Sequence, residues 1–327
     1  MGHVSHMQLF QLNATLMGHT MEVNGLAFSH DDSFFISASS DRRLIVWDLQ
    51  RGVQLRVLEG HPEWVTCVVI SPDDRTAASG CYDGSVRLWC LRTGTCLRVI
   101  HMPSYGALYR ICHVNCLAFC PEGSSLAVGG DDWYRSLLQQ WSVDVSSTAP
   151  TRPTHNFIGE QDMSSVQCVM YTSSTQMVSG GIRHGIRVWD LASGTCTHML
   201  MGVTLEVTGM SLLKDGSVIV SASLDGAIMQ WGLIGLLQDG IEWECDTSFL
   251  HHTSSRRMHC MAGSLGVNVA VSGSDDVICV WDLITGNCKK VLEGHTGRVA
   301  AVAMSGDGKT VISGGADNMV KVWRLSE

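Results

Sequence analysis

Tryptophan recurs along this chain at a near-regular interval. Trp47, Trp89, Trp141, Trp189, Trp231, Trp281 and Trp323 are separated by 42, 52, 48, 42, 50 and 42 residues, which sets a base period of 42. Self-similarity at a period of roughly 20–50 residues marks a repeat architecture, in which each unit buries its apolar faces only against its neighbours. Every repeat opens on an apolar segment: VNGLAFS from Val23, VTCVVIS from Val65, VNCLAFC from Val114, VQCVMYT from Val166, VTGMSLL from Val207, MHCMAGS from Met258 and VAAVAMS from Val299. Turn signals such as SPDD at 71–74 and GDGK at 306–309 punctuate the units. Each unit therefore reads as about four short strands.

The opening strands are apolar at nearly every position, which predicts burial on both faces. A lone four-stranded sheet cannot bury two faces, but seven sheets arranged radially can, as in a propeller. The third position of the opening strand is Gly25, Cys67, Cys116, Cys168, Gly209, Cys260 and Ala301. All are small, as expected where sheets converge on an axis. Four of the thirteen cysteines are thereby explained as packing residues. The odd count and scattered spacing fit reduced thiols in a cytoplasmic or nuclear protein better than a disulfide framework.

These features resemble the WD40-repeat family, and the resemblance covers essentially the whole chain. Gly-His pairs stand at 18–19, 60–61 and 294–295, and Trp-Asp pairs at 47–48, 189–190 and 281–282. The resemblance implies an all-β, seven-bladed propeller whose last blade is closed by an N-terminal strand, here the segment 7–16. Residues 1–6 read as a tag or leader, leaving 7–327 as one propeller domain. The family's structural tetrad maps onto His19, Ser37, Asp41 and Trp47, onto His61, Ser79, Asp83 and Trp89, and onto His295, Ser313, Asp317 and Trp323. These are expected to serve the fold and not catalysis.

Units three to six depart from the pattern. The turn after Asp132 gains three residues, Trp133, Tyr134 and Arg135. The link from Trp89 to Val114 is seven residues longer than the basic 18 and carries Tyr105, Tyr109 and Arg110. In unit four Arg183, followed by His184, stands at the turn-aspartate position, and a guanidinium cannot accept a hydrogen bond. Unit two adds Trp64 before its first strand and Tyr82 before its turn aspartate. By the family topology all ten residues fall on one face of blades 2–4. Tyr, Trp and Arg dominate interface energetics, so this face is expected to bind partners; the competing reading is that Trp133 plugs a gap opened by its own longer turn. The link from Trp231 to Met258 is nine residues too long. Its 232–246 stretch is expected on the opposite face, as a flap on the propeller or as a short docking helix.

No phosphate loop, nucleophile elbow or metal-ligand set stands out, and no cofactor, metal or catalytic residue is expected. Cys112, His113, Cys116 and Cys120 do not form a zinc site, because strand residues four apart lie about 13 Å apart. Channel-facing candidates Asn24, Thr66, Asn115, Gln167 and Thr208, with His259, form a polar lining without an acid–base pair. The net charge of −9 and pI near 5.8 argue against nucleic-acid or anionic-membrane surfaces. The expected role is a non-enzymatic scaffold or adaptor, a subunit of a larger complex, binding protein or peptide partners with acidic or phosphorylated flanks. Two alternatives stand beside it. One is a substrate receptor of a cullin-type ubiquitin ligase, for which WCLR at 89–92 nearly matches the Trp-Asp-x-Arg signature. The other is a sensor domain of a larger NTPase-type signalling protein.

Overall fold

The repeat folds as seven four-stranded antiparallel sheets. The computed structural model describes residues 10–103, 112–132, 136–144, 152–157, 164–183, 185–200, 206–213, 217–237, 240–250, 257–264 and 268–325. Blades 1 and 2 are the most regular. Blade 1 runs through Val23–Phe28, Phe34–Ser39, Arg43–Asp48 and Gln54–Glu59, and blade 2 through Val65–Ile70, Thr76–Cys81, Ser85–Cys90 and Cys96–His101. The inner strands of the next five blades are His113–Phe119, Ser165–Tyr171, Val207–Leu213, Cys260–Gly263 and Val299–Met304. Each inner strand contacts the inner strands of both neighbouring blades, and the last contacts the first, so the ring is closed.

The small third position is what lets these strands converge. A Cβ placed on Gly25 would lie 3.0 Å from the Cα of Cys67 in the next blade, and one on Gly209 would lie 2.8 Å from the Met261 nitrogen. Immediately before this position, six of the seven inner strands carry a β-bulge, for example between Val23 and Gly25 and between Val65 and Cys67. A bulge leaves one residue unpaired and re-aims it. The unpaired residues include Asn24, Thr66, Asn115, Gln167 and Thr208, and all five line a central channel cavity of about 600 Å³. Three of them also tie neighbouring blades together. Asn24 Nδ2 donates to the Val65 carbonyl (2.9 Å), Thr66 Oγ1 to the Val114 carbonyl, and Asn115 Nδ2 to the Val166 carbonyl (3.3 Å).

The core is divided among the blade interfaces. Trp47 packs with Ile312, Val320 and Val322 of blade 7. Trp89 packs with Ile36, Leu44 and Val46 of blade 1, and Trp141 with Val86, Leu88 and Ile100 of blade 2. The periodic tryptophan is thus a wedge between its own blade and the preceding one. The final blade is completed by Phe10–Leu16, which pairs antiparallel with Val320–Leu325. Within that strand Phe10 is buried against Ile278, Val280 and Leu292 of blade 6, while Leu16 joins the Trp47 cluster. One strand therefore closes blade 7 and packs on both its neighbours.

The long link after Trp231 is neither a flap nor a helix. Ala227–Leu237 and Gly240–Leu250, eleven residues each, pair with one another as the third and outer strands of blade 5, with Leu233 opposite Trp243. The surplus residues lengthen a hairpin, because continued cross-strand pairing satisfies backbone groups that a loop would leave to water.

Removing residues 10–16 is expected to lower the unfolding midpoint of the whole chain, since it exposes an edge and empties parts of two interface clusters. Gly25→Leu is expected to cost about 1–3 kcal/mol by overpacking. Urea and thermal unfolding of the variants check both.

Candidate functional site

Two sets of side chains were candidates: the repeated tetrads and the aromatic face. The tetrads, with Trp64, Tyr82 and Arg183 of the second set, lie at the end of the ring where the inner strands begin, here termed the upper face.

In blade 1 the indole of Trp47 donates to Ser37 Oγ (2.8 Å), Ser37 bonds His19 Nε2 (2.7 Å), and His19 Nδ1 bonds Asp41 Oδ2 (2.8 Å). The backbone N–H of Thr20 adds a fourth link to the same carboxylate oxygen (3.0 Å). Blade 7 repeats the arrangement with Trp323, Ser313, His295 and Asp317, again with a backbone donor, Thr296 N–H, on Oδ2 (3.1 Å). Burial pushes the Asp41 carboxyl up, but the His19 hydrogen bond and charge, with the Thr20 and Arg43 amides, outweigh it and hold the group well below the usual carboxylate range. Asp317 is lowered in the same way, by Thr296 and His295 against its burial, while burial lowers His295.

Blade 2 differs. Trp89 and His61 still meet at Ser79 Oγ, at 2.8 and 2.6 Å. The His–Asp link is not made: His61 Nδ1 is buried and has no hydrogen-bond partner. Asp83 instead turns one oxygen to the amide and hydroxyl of Ser85, at 2.9 and 2.6 Å. In blades 4, 5 and 6 the described residues include the inner half, with Trp189 on Ser179, Trp231 on Ser221 and Trp281 on Ser272 at 2.8–2.9 Å. In blade 3 the register puts Val128 where the serine should be, and the Trp141 indole N–H is buried without a partner.

On the aromatic face, Trp64 is 47% exposed and its ring lies 5.5 Å from that of Tyr82. Tyr82 stacks on His113, with centroids 3.7 Å apart and planes at 17°. His113 Nδ1 donates to the Tyr82 carbonyl (2.6 Å), and the Tyr82 amide donates to the Trp64 carbonyl (2.9 Å). The three rings form a continuous ladder across blades 2 and 3. His113 was not among the sequence candidates for this face, although the signal was present: it precedes Val114 as Trp64 precedes Val65. Arg183 occupies the second–third turn of blade 4, exposed and in the left-handed region at φ 53°. Tyr105, Tyr109, Arg110, Trp133, Tyr134, Arg135 and His184 lie outside the described residues.

The rest of the upper mouth is different in kind. Arg298 of blade 7 pairs with Glu22 of blade 1 (2.7 Å), and His259 of blade 6 lies 3.7 Å from Asp275. The Arg298–Glu22 ion pair and a His–Asp contact thus edge blades 6, 7 and 1, and an aromatic ladder whose outermost ring, Trp64, is exposed edges blades 2 and 3.

Comparison with known proteins agrees with this architecture. The family model for the WD domain, G-beta repeat, matches residues 10–48, 52–90, 106–134, 194–232 and 286–324, together more than half of the chain. The guanine nucleotide-binding protein subunit beta of Saccharomyces cerevisiae is 24% identical, over 95% of this chain and 79% of its own. Periodic tryptophan protein 2 of Arabidopsis thaliana is 25% identical, over 48% of this chain and 17% of its own. Nuclear distribution protein PAC1 of Arthroderma otae is 26% identical, over 58% and 42% respectively. The chain spans less than half the length of the last two relatives.

The complete tetrads make stability pH-dependent. His295 is lowered in the fold, so the unfolded chain takes up its proton first as pH falls from about 6.5. Asp317 and Asp41 are lowered too; their contribution is full above about pH 4 and is lost as pH falls towards their folded values. Stability is therefore expected to fall on acidification in two stages. Urea unfolding at a series of pH values checks this, and the lower stage should shrink in Asp41→Asn.

Proposed function

The chain belongs to the WD40-repeat family, whose propellers typically serve as non-enzymatic interaction modules, and we propose that this one is an adaptor that holds a protein partner on the aromatic sector of its upper face. The observation that carries the reading is the ladder Trp64–Tyr82–His113. A large indole is left half in water although a well-filled core was available to the fold. Its ring lies against Tyr82, which is itself stacked on His113, and the Tyr82 amide holds the Trp64 carbonyl, so little ordering entropy would be lost on binding. Rigid aromatic anchors of this kind carry a disproportionate share of interface energy.

Two further features support the same sector. The segments that contain Tyr105, Tyr109, Arg110, Trp133, Tyr134 and Arg135 are flanked by described residues of blades 2 and 3, namely Pro103, just past the outer strand of blade 2, with Cys112, and Asp132 with Ser136 in blade 3. Arg183 adds an exposed guanidinium one blade further on. The ligand we propose is a peptide or loop with an apolar anchor for the ladder and acidic or phosphorylated flanks for the arginines, since guanidinium pairs bidentately with carboxylate and phosphate.

The test is quantitative binding of a partner captured by the intact chain. Trp64→Ala together with Tyr82→Ala is expected to weaken binding about thirtyfold, the effect of losing about 2 kcal/mol at a central anchor. The unfolding midpoint should move little. Trp133→Ala with Arg135→Glu is expected to act in the same direction. Leu236→Asp, in the blade 5 hairpin, should bind normally; loss of the partner in that variant, with retention in the Trp64 variant, would move the recognition surface to the hairpin.

A further inference from the structure

The incomplete tetrad of blade 2 is changed at three positions that together alter its chemistry. In blades 1 and 7 the histidine is followed by Thr20 or Thr296, whose N–H holds the aspartate oxygen that the imidazole also meets. In blade 2 that residue is Pro62, which has no N–H to give. Two residues past the turn start, Arg43 and Met319 offer the aspartate a backbone amide. Ser85 offers an amide and a hydroxyl, and both are taken by the same Asp83 oxygen. Beside the turn, where blades 1 and 7 have Ser39 and Gly315, stands Cys81, fully buried.

The result is an imidazole nitrogen, a thiol sulfur and a carboxylate oxygen that all lie within 4.8 Å of one another. One of them, His61 Nδ1, is buried and unpartnered, on a side chain only 5% exposed. An unsatisfied buried polar atom is destabilising, so a group that binds this nitrogen removes a penalty the fold otherwise carries. We propose that His61 Nδ1, Cys81 Sγ and Asp83 form a divalent zinc site, with a water completing the tetrahedron on the solvent side of the half-buried Asp83.

The donor chemistry is consistent. Zinc takes nitrogen, sulfur and oxygen ligands at about 2.0–2.3 Å, so the three atoms, within 4.8 Å of one another, draw closer when they share an ion. For Nδ1 to bind the ion, the ring proton sits on Nε2 and is donated to Ser79 Oγ, a contact already in place at 2.6 Å. An outer hydrogen bond on the far ring nitrogen is the usual means of fixing a ligating imidazole. Burial, and then the Arg87 charge, lowers His61 to about 4, so the ring is neutral at pH 7. Burial, and then Asp83, pushes the Cys81 thiol up to about 12. Without a cation the thiol keeps its proton. Binding forms the Zn–S bond from a sulfur lone pair and releases the thiol proton to solvent, with no change in oxidation state.

Cobalt(II) titration of the reduced, chelator-treated full chain tests the site, because a thiolate ligand gives a near-ultraviolet charge-transfer band. One equivalent should develop the band, and zinc should displace it. The band should vanish in Cys81→Ser, which installs the residue blade 1 already has at this position, and the zinc dissociation constant should rise at least tenfold there and in Asp83→Asn. It should persist when the exposed Cys96, Cys196 and Cys288 are all changed to Ser. Metal-free thermal unfolding of Cys81→Ser verifies that the variant is folded. Absence of a band, its survival in Cys81→Ser, or its loss with the three exposed cysteines would overturn the proposal.

Discussion

Seven sheets can meet around one axis only if the inner strands approach each other more closely than ordinary side chains allow. Everything else in this molecule follows from how that approach is made. A small residue at the third position lets the backbones close to van der Waals contact, and the bulge just before it turns one polar residue into the channel. From blades 1, 2 and 3 that residue spans to the next blade and bonds its backbone. The axis therefore carries small side chains, and the large apolar groups are displaced outward, where each tryptophan wedges between two blades.

A ring closed in this way holds its blade edges in fixed relation to one another. The complete tetrads fix the turns of blades 1 and 7, and the salt-bridged edge between Glu22 and Arg298 belongs to the same sector. On the other side, the turns are freed from the His–Asp link. Blade 2 lacks it, blade 3 replaces its serine by Val128, and blade 4 replaces its aspartate by Arg183. Where the repeat stops serving the turn, its residues become available for other contacts. Trp64, Tyr82 and His113 form a run of three rings there, and His61, Cys81 and Asp83 stand close together at the same blade edge.

Much of the fold is legible in the sequence because the period is carried by residues with no alternative place to go. A tryptophan every 42 to 52 residues and a small residue three positions into each apolar strand admit few architectures. The bulges are not legible, because Asn, Thr and Gln in a strand give no sign of being unpaired. The blade 5 hairpin was misread for a related reason: LIGLL and WEC lack the alternation of a half-buried strand, yet pair as strands through their backbone. At the site, Trp64 and Tyr82 follow from position alone, while His113 was obscured by its cysteine neighbours. The open His61–Asp83 link depends on Pro62, Cys81 and Ser85 acting together, and no one of them signals it.

The central claim is that the chain recognises its partner through the aromatic sector of a closed ring. Hydrogen–deuterium exchange of the free and partner-bound chain tests it most directly. Binding should slow exchange at the upper ends of blades 2 and 3, around residues 62–66, 80–84 and 112–114, and leave the blade interfaces unchanged. Protection confined to the blade 5 hairpin at 227–250, with the Trp64 and His113 segments unaffected, would contradict it.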